Sequence, residues 1–191
     1  MSRLDPVACA AFVLAAFVLA GLAQTAWFRS HLSQAFAIPL DGGLTLRGRR
    51  IFGDHKTLRG FVVMVPATSL AFAWLASITN VAAAGLWPVS IGGYAALGAW
   101  AGLGFMVGEL PNSFVKRQLG IAPGRPAAGP VRSAIQFLVD RVDSGLGMLL
   151  ALSVAVPVAW MTWTLVLLIG PFIHWSFSVL MFRLGIKPRP A

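Results

Sequence analysis

Five apolar stretches, at 7–28, 61–82, 86–108, 145–160 and 163–182, take up most of this 191-residue chain. About 20 apolar residues carry a helix across the hydrocarbon of a bilayer, where each backbone polar group must be satisfied within its own segment. The pattern predicts an all-α membrane protein, a bundle of five transmembrane helices forming a single domain over 1–191. The fourth helix is expected to begin upstream of its apolar run, because 131–142 also shows helical apolar spacing. Only 11% of residues are charged and mean hydropathy is +0.79; a soluble domain carries about 25% charged residues, so soluble classes are excluded.

The basic residues choose an orientation. Arg29, Arg47, Arg49, Arg50, Lys56 and Arg59 lie in the segment 29–60. Lys116, Arg117, Arg125, Arg132 and Arg141 lie in 109–144, and Arg183, Lys187 and Arg189 in the tail. The connections at 79–84 and 161–162 carry no charge. Cytoplasmic loops collect Lys and Arg, so the N-terminus is expected outside and the C-terminus inside a cell (inner) membrane, with both polar segments facing the cytoplasm. The net charge of +9 follows from the same rule, helped by anionic membrane lipids. Its cations sit beside spans and on no separate domain, which argues against a nucleic-acid partner. The small residues Gly21-Leu22-Ala23 raise a cleavable signal peptide as a rival. The apolar run exceeds the roughly 7–15 residues of such a peptide, and cleavage would strand the most basic loop outside.

Other features are structural. Trp27, Trp87, Trp160 and Trp163 fall at span ends, where indole rings favour the interface. Gly98-x-x-x-Gly102 and Gly104-x-x-x-Gly108 give the third span a face for close helix contact, which would also permit a homodimer. Cys9, the single cysteine, is expected in the core.

Positive-inside charge does not account for the acids. Five of the six acidic residues fall in the two polar segments, and none lies in the middle of a span. The first segment contains Asp41-Gly42-Gly43 and Gly53-Asp54-His55-Lys56-Thr57-Leu58-Arg59-Gly60; glycine lets backbone N–H groups approach a phosphate that Lys and Arg neutralise. In the second, a helix would put Glu109, Asn112, Ser113 and Lys116 on one face. Asp140 and Asp143 stand three apart, so both carboxylates point one way on a helix. By helical rise Asp143 lies about 25 Å from Trp160, at the cytoplasmic mouth of the bundle. Mg²⁺ held by one or two carboxylates plus substrate phosphate oxygens relieves their repulsion; two Asp–Arg surface pairs through Arg141 and Arg132 are the alternative.

Asn112-Ser113-x-x-Lys116-Arg117 followed by Asp140-Arg141-x-Asp143-Ser144 resembles the signature of the phosphatidate cytidylyltransferases, and the Lys56-Thr57-x-x-Gly60 stretch is similar to another of that family's motifs. Short length, five spans and the Asp41-Gly42-Gly43 opening resemble the CDP-archaeol synthase branch. Residues 120–139 lack the Lys-Asp and His-Gly-Gly elements of the larger enzymes. The resemblance implies CTP-dependent transfer of CMP to a membrane lipid phosphate, ester or ether linked, with release of pyrophosphate. It implies Mg²⁺ on Asp140 and Asp143, with Asp41 or Asp54 as further ligands. Lys56, Lys116, Arg117 and Arg141 would hold phosphate oxygens, Asn112 and Ser113 phosphate or ribose. Ser144, Thr57, Arg59, Gly42 and Gly43 complete the substrate-binding set. A transporter or anion-conducting protein with a basic vestibule is the leading rival; it predicts ionisable or broken-helix features at mid-membrane, for which His174 is the sole candidate.

Overall fold

A computed structural model describes residues 4–122, 125 and 128–187, so Arg189 lies outside the described residues. Among them are five long helices: α1 Pro6–Arg29, α2 Leu58–Ile78, α3 Ile91–Gln118, α4 Pro130–Ala155 and α5 Trp160–Arg183. Asp5 caps α1, its carboxylate accepting from Val7 N and Ala8 N. Ser90 caps α3 by accepting from Gly93 N. The all-α membrane class is as expected. α1, α2, α3 and α5 are long and apolar enough to cross a bilayer. α4 differs, because Arg132, Asp140, Arg141 and Asp143 occupy its first half.

α4 also stops at Ala155, short of the expected 160. Its C-cap, Val156, precedes Pro157, and a residue before proline is pushed out of the helical region. A new helix then starts at Trp160. Asp143 is consequently about 18 Å from the far end of its helix by helical rise, and Glu109 is about 27 Å along α3. Both therefore lie toward the side of the polar segments.

The polar segment between α1 and α2 holds a short 3-10 helix, His31–Phe36, and a two-stranded antiparallel hairpin, β1 Thr45–Leu46 and β2 Arg49–Arg50. Its turn places Arg47 (φ 52°) and Gly48 (φ 74°) in the left-handed region, the geometry that closes a two-residue hairpin with the right twist.

Packing is tightest where helices touch through glycine. A Cβ added to Gly98 would lie 2.8 Å from Phe72 Cβ on α2, and one on Gly102 would lie 3.0 Å from Met64 O. Cβ atoms on Gly104 and Gly108 would meet Gly147 O at 2.6 Å and Asp143 O at 2.5 Å, both on α4. The two glycine faces are thus consumed inside the chain, one against α2 and the other against α4. At the end remote from the polar segments, Trp87 is buried and donates Nε1–H to Pro157 O (2.8 Å), and Tyr94 OH donates to Trp87 O (2.7 Å). Trp87 is therefore a core residue instead of an interface anchor, because its indole N–H finds a partner inside the bundle. Trp160 is exposed as expected, and Cys9 is buried.

Candidate active site

α3 continues as a helix through Pro111 to Gln118, so its final turns carry side chains instead of loop backbone to the site. Asn112 Nδ2 donates to Asp140 Oδ1 (2.5 Å) and Asp143 Oδ2 (2.8 Å). Lys116 Nζ reaches the same Asp140 Oδ1 at 2.6 Å. One amide and one ammonium thus stand where two carboxylates converge. The i, i+3 and i, i+4 spacings put both sets on facing stripes of α3 and α4, and Gly104, Gly108 and Gly147 let those stripes meet at backbone distance.

A second group adjoins the first. Ser144 Oγ donates to Glu109 Oε1 (2.9 Å) and contacts Asp143 Oδ1 (3.2 Å). Lys56, from the segment ahead of α2, forms an ion pair with Glu109 Oε2. Burial pulls the Lys56 ammonium down, but the Glu109 charge and hydrogen bond outweigh it and leave its pKa raised. Glu109, given no role from sequence, sits nine residues before the end of α3 and joins the two groups. The signal was its shared face with Asn112 and Lys116.

The structure does not bring Asp41 and Asp54 into this constellation. Asp41 is buried in the hairpin loop and accepts from Arg50 Nε (3.2 Å) and from the backbone N–H groups of Phe52, Gly53 and Gly43 at 3.0, 3.0 and 3.2 Å. A second Arg50 nitrogen, Nη2, pairs with its other oxygen. The Arg50 guanidinium holds the Asp41 carboxyl well below the usual range, against the cost of burial and with help from those backbone donors. Asp54 is exposed and pairs with Arg50 Nη1 at 2.7 Å. Gly42 and Gly43 form the turn that lets Asp41 face its donors, with φ of 53° and 90°. Asp41 therefore organises the loop that delivers Lys56.

The remaining expected residues divide. Thr57 is the N-cap of α2 and lines a cavity of about 260 Å³ together with His55, Lys56, Arg141 and Ser144. Ser113 is buried on α3. Arg59 packs over the Phe28 ring (4.4 Å to its centre) and donates to Phe28 O, so it ties α2 to α1. Arg141 lies over the Phe137 ring (3.4 Å) and donates to Phe137 O at 3.0 Å. Half-buried Arg117 and Arg141 each have a buried Nε without a partner among the described residues. His174 and Lys187, neither of them assigned to the site from sequence, line the same cavity.

Paired carboxylates, an amide and two lysines gathered between the helices of a multi-span bundle mark the candidate active site of a membrane-embedded enzyme. Comparisons with known proteins agree. The CarS-like family model, described as CDP-archaeol synthase, matches residues 11–190. The CDP-archaeol synthase of Pyrococcus furiosus is 33% identical over 156 residues, covering 80% of this chain and 83% of the relative. That of Halobacterium salinarum is 35% identical over 161 residues, covering 80% and 82%. A solved intramembrane enzyme of archaeal membrane lipid biosynthesis superposes with a TM-score of 0.56 at 25% identity, covering 98% of this chain and 99% of the other. The chain belongs to the CDP-archaeol synthase family and is a nucleotidyltransferase. The transporter reading is set aside.

Proposed function

We propose that the protein transfers CMP from CTP to the phosphate of an ether-linked isoprenoid glycerol lipid in a Mg²⁺-dependent reaction on the cytoplasmic side of the cell membrane. The convergence of Asn112 and Lys116 on Asp140 and Asp143, within a family of CDP-archaeol synthases, carries this reading. A lipid phosphate oxygen forms the new bond to the α-phosphorus of CTP, the α–β bridging bond breaks, and pyrophosphate leaves. A phosphomonoester has a second pKa of about 6, so the nucleophile is largely ionised at pH 7 and needs no strong base. What the reaction demands is positioning and neutralisation of crowded charge.

Among the described residues no three His, Cys, Asp or Glu side chains gather closely enough to hold a metal alone. That suits Mg²⁺, which binds through one or two carboxylates and completes its shell with water and substrate phosphates. Asp140 and Asp143 would hold it, and a bound ion would neutralise triphosphate charge. Asn112 and Lys116 donate to the same carboxylates and would hold them in position for it. Lys116 and Arg117 then face phosphate oxygens, while Asn112 and Ser113 contact phosphate or ribose. Glu109 holds Lys56 and Ser144 in place through its ion pair and hydrogen bond.

Labelled CTP incubated with Mg²⁺ and either the isoprenoid ether-lipid phosphate or ester-linked phosphatidate tests this. Labelled CDP-lipid from the ether lipid is the expected product. No lipid-bound label from either substrate refutes the reaction, and label from phosphatidate alone refutes the lipid assignment.

A further inference from the structure

The cavity beside the acid pair has two chemically distinct ends. Its body is apolar, lined by Val13, Phe17, Met64, Phe105, Met148 and Phe177 from all five long helices. At its polar end stand Lys56, Glu109, Arg141, His174 and Lys187. Lys56 and Glu109 neutralise one another. The other polar groups are not balanced. Among the described residues Arg141 and Lys187 make no ion pair, and the hydrogen bond of Lys187 Nζ is to the Ser178 hydroxyl at 3.3 Å. His174 Nδ1 is buried without a partner, as is Arg141 Nε. Burial lowers the pKa of the Lys187 ammonium. Unmatched buried donors and cations are costly in the absence of an anion.

Asn112, Lys116, Asp140 and Asp143 do not line this cavity, whereas Ser144 and Glu109 do. Glu109 and Ser144 thus wall the cavity on the side of the carboxylates, with Ser144 Oγ in contact with both Glu109 and Asp143. A nucleotide triphosphate has no use for an apolar chamber. A phosphomonoester attached to hydrocarbon matches both ends of it, because the dianion meets two unpaired cations and the first carbons of its tails meet aromatic and methionine side chains.

We infer that His174 and Lys187, with Arg141, form the seat for the lipid phosphate, so that the lipid approaches the wall from the cavity and the nucleotide from the Asp140–Asp143 side. The inference rests on the reaction proposed above. It makes His174 and Lys187 substrate-contacting residues that distinguish lipid from nucleotide.

The test uses the full chain in detergent, with His174→Ala, Lys187→Ala and the double variant. The readouts are KM for each substrate, and equilibrium retention of radiolabelled ether-lipid phosphate without CTP beside its phosphate-free alcohol. Loss of charge-assisted contacts should raise KM for the lipid phosphate about tenfold or more in the double variant, with KM for CTP nearly unchanged. Retention of the lipid phosphate should fall in parallel while retention of the alcohol does not, and Lys187→Arg should restore most of the loss. A rise in KM for CTP of the same size, or unchanged lipid-phosphate retention in a folded double variant, overturns the seat. Retention of the lipid phosphate by a wild-type protein that makes no CDP-lipid would refute the reaction and leave the seat standing.

Discussion

Asp140 and Asp143 share one donor, Asn112 Nδ2, so removing either negative charge alters both. Asp140→Asn and Asp143→Asn should abolish CDP-lipid formation while membrane insertion and yield stay normal; labelled-CTP turnover beside size-exclusion behaviour checks this, and wild-type rates in both variants would refute the metal assignment. Asp41 obeys a different rule. Its carboxylate is buried under Arg50 and three backbone donors, and leaving such donors unsatisfied costs about 1–3 kcal/mol. Because its folded pKa is depressed, its stabilisation is fully present above the unfolded value of about 3.9 and fades as pH falls below it. Asp41→Asn should therefore lower the unfolding midpoint at pH 7, and the gap from wild type should narrow toward pH 3. A gap independent of pH would show that the carboxylate charge is not what Asp41 contributes.

At the scale of helices, the α3–α4 contact sets the site. Backbone meets backbone at Gly104, Gly108 and Gly147, and an added Cβ on Gly147 would lie 2.6 Å from Gly108 Cα. Gly147→Ala must push α4 away from α3, and displacement of reacting groups by about 1 Å can cost ~100-fold in rate. The expected result is a kcat loss of at least about tenfold in protein that still folds. Gly98→Ala strains α3 against α2 near Phe72 instead and should lower the unfolding midpoint without a comparable fall in kcat per folded molecule; equal kcat losses in the two would remove the special role of the α3–α4 contact. Hydropathy made the helices legible, and the i, i+3 spacing made Asp140 and Asp143 legible, because both patterns are local. The helical face shared by Glu109, Asn112 and Lys116 was legible too, although it crosses Pro111; the ion pair of Glu109 with Lys56 was not, because the two lie 53 residues apart. Nor could the glycine spacings reveal that their partners were α2 and α4, because a small-residue face looks the same whether it meets its own chain or another. His174 and Lys187 belong to a cavity assembled from every helix, and no short-range pattern marks such a place.

For the whole molecule, the distribution of cations predicts that both polar segments face the cytoplasm. In a Cys9→Ala background, Arg47→Cys should be shielded from a membrane-impermeant thiol reagent added to intact cells, whereas Thr79→Cys should react. The opposite pattern would invert the bundle and move the site to the other face. The bundle has unlike ends. One is stitched by neutral contacts such as Trp87 Nε1–H to Pro157 O and Thr162 Oγ1–H to Pro6 O (3.0 Å), while the other is held by ion pairs among Lys56, Glu109, Lys116 and Asp140.

The order of those ion pairs along the chain bears on how the protein is made. Lys56 is synthesised before Glu109, and Asn112 and Lys116 before Asp140 and Asp143. Each acid of the site therefore emerges from the ribosome after the lysine or amide side chain that will meet it in the fold. A bare carboxylate among lipid tails is expensive, and a nascent chain with this sequence need not hold one while waiting for a later segment. A chain halted after α3 already contains the counter-charge for Glu109, and α4 enters toward a waiting amide and ammonium. Synthesis from N- to C-terminus is thus also a schedule of neutralisation.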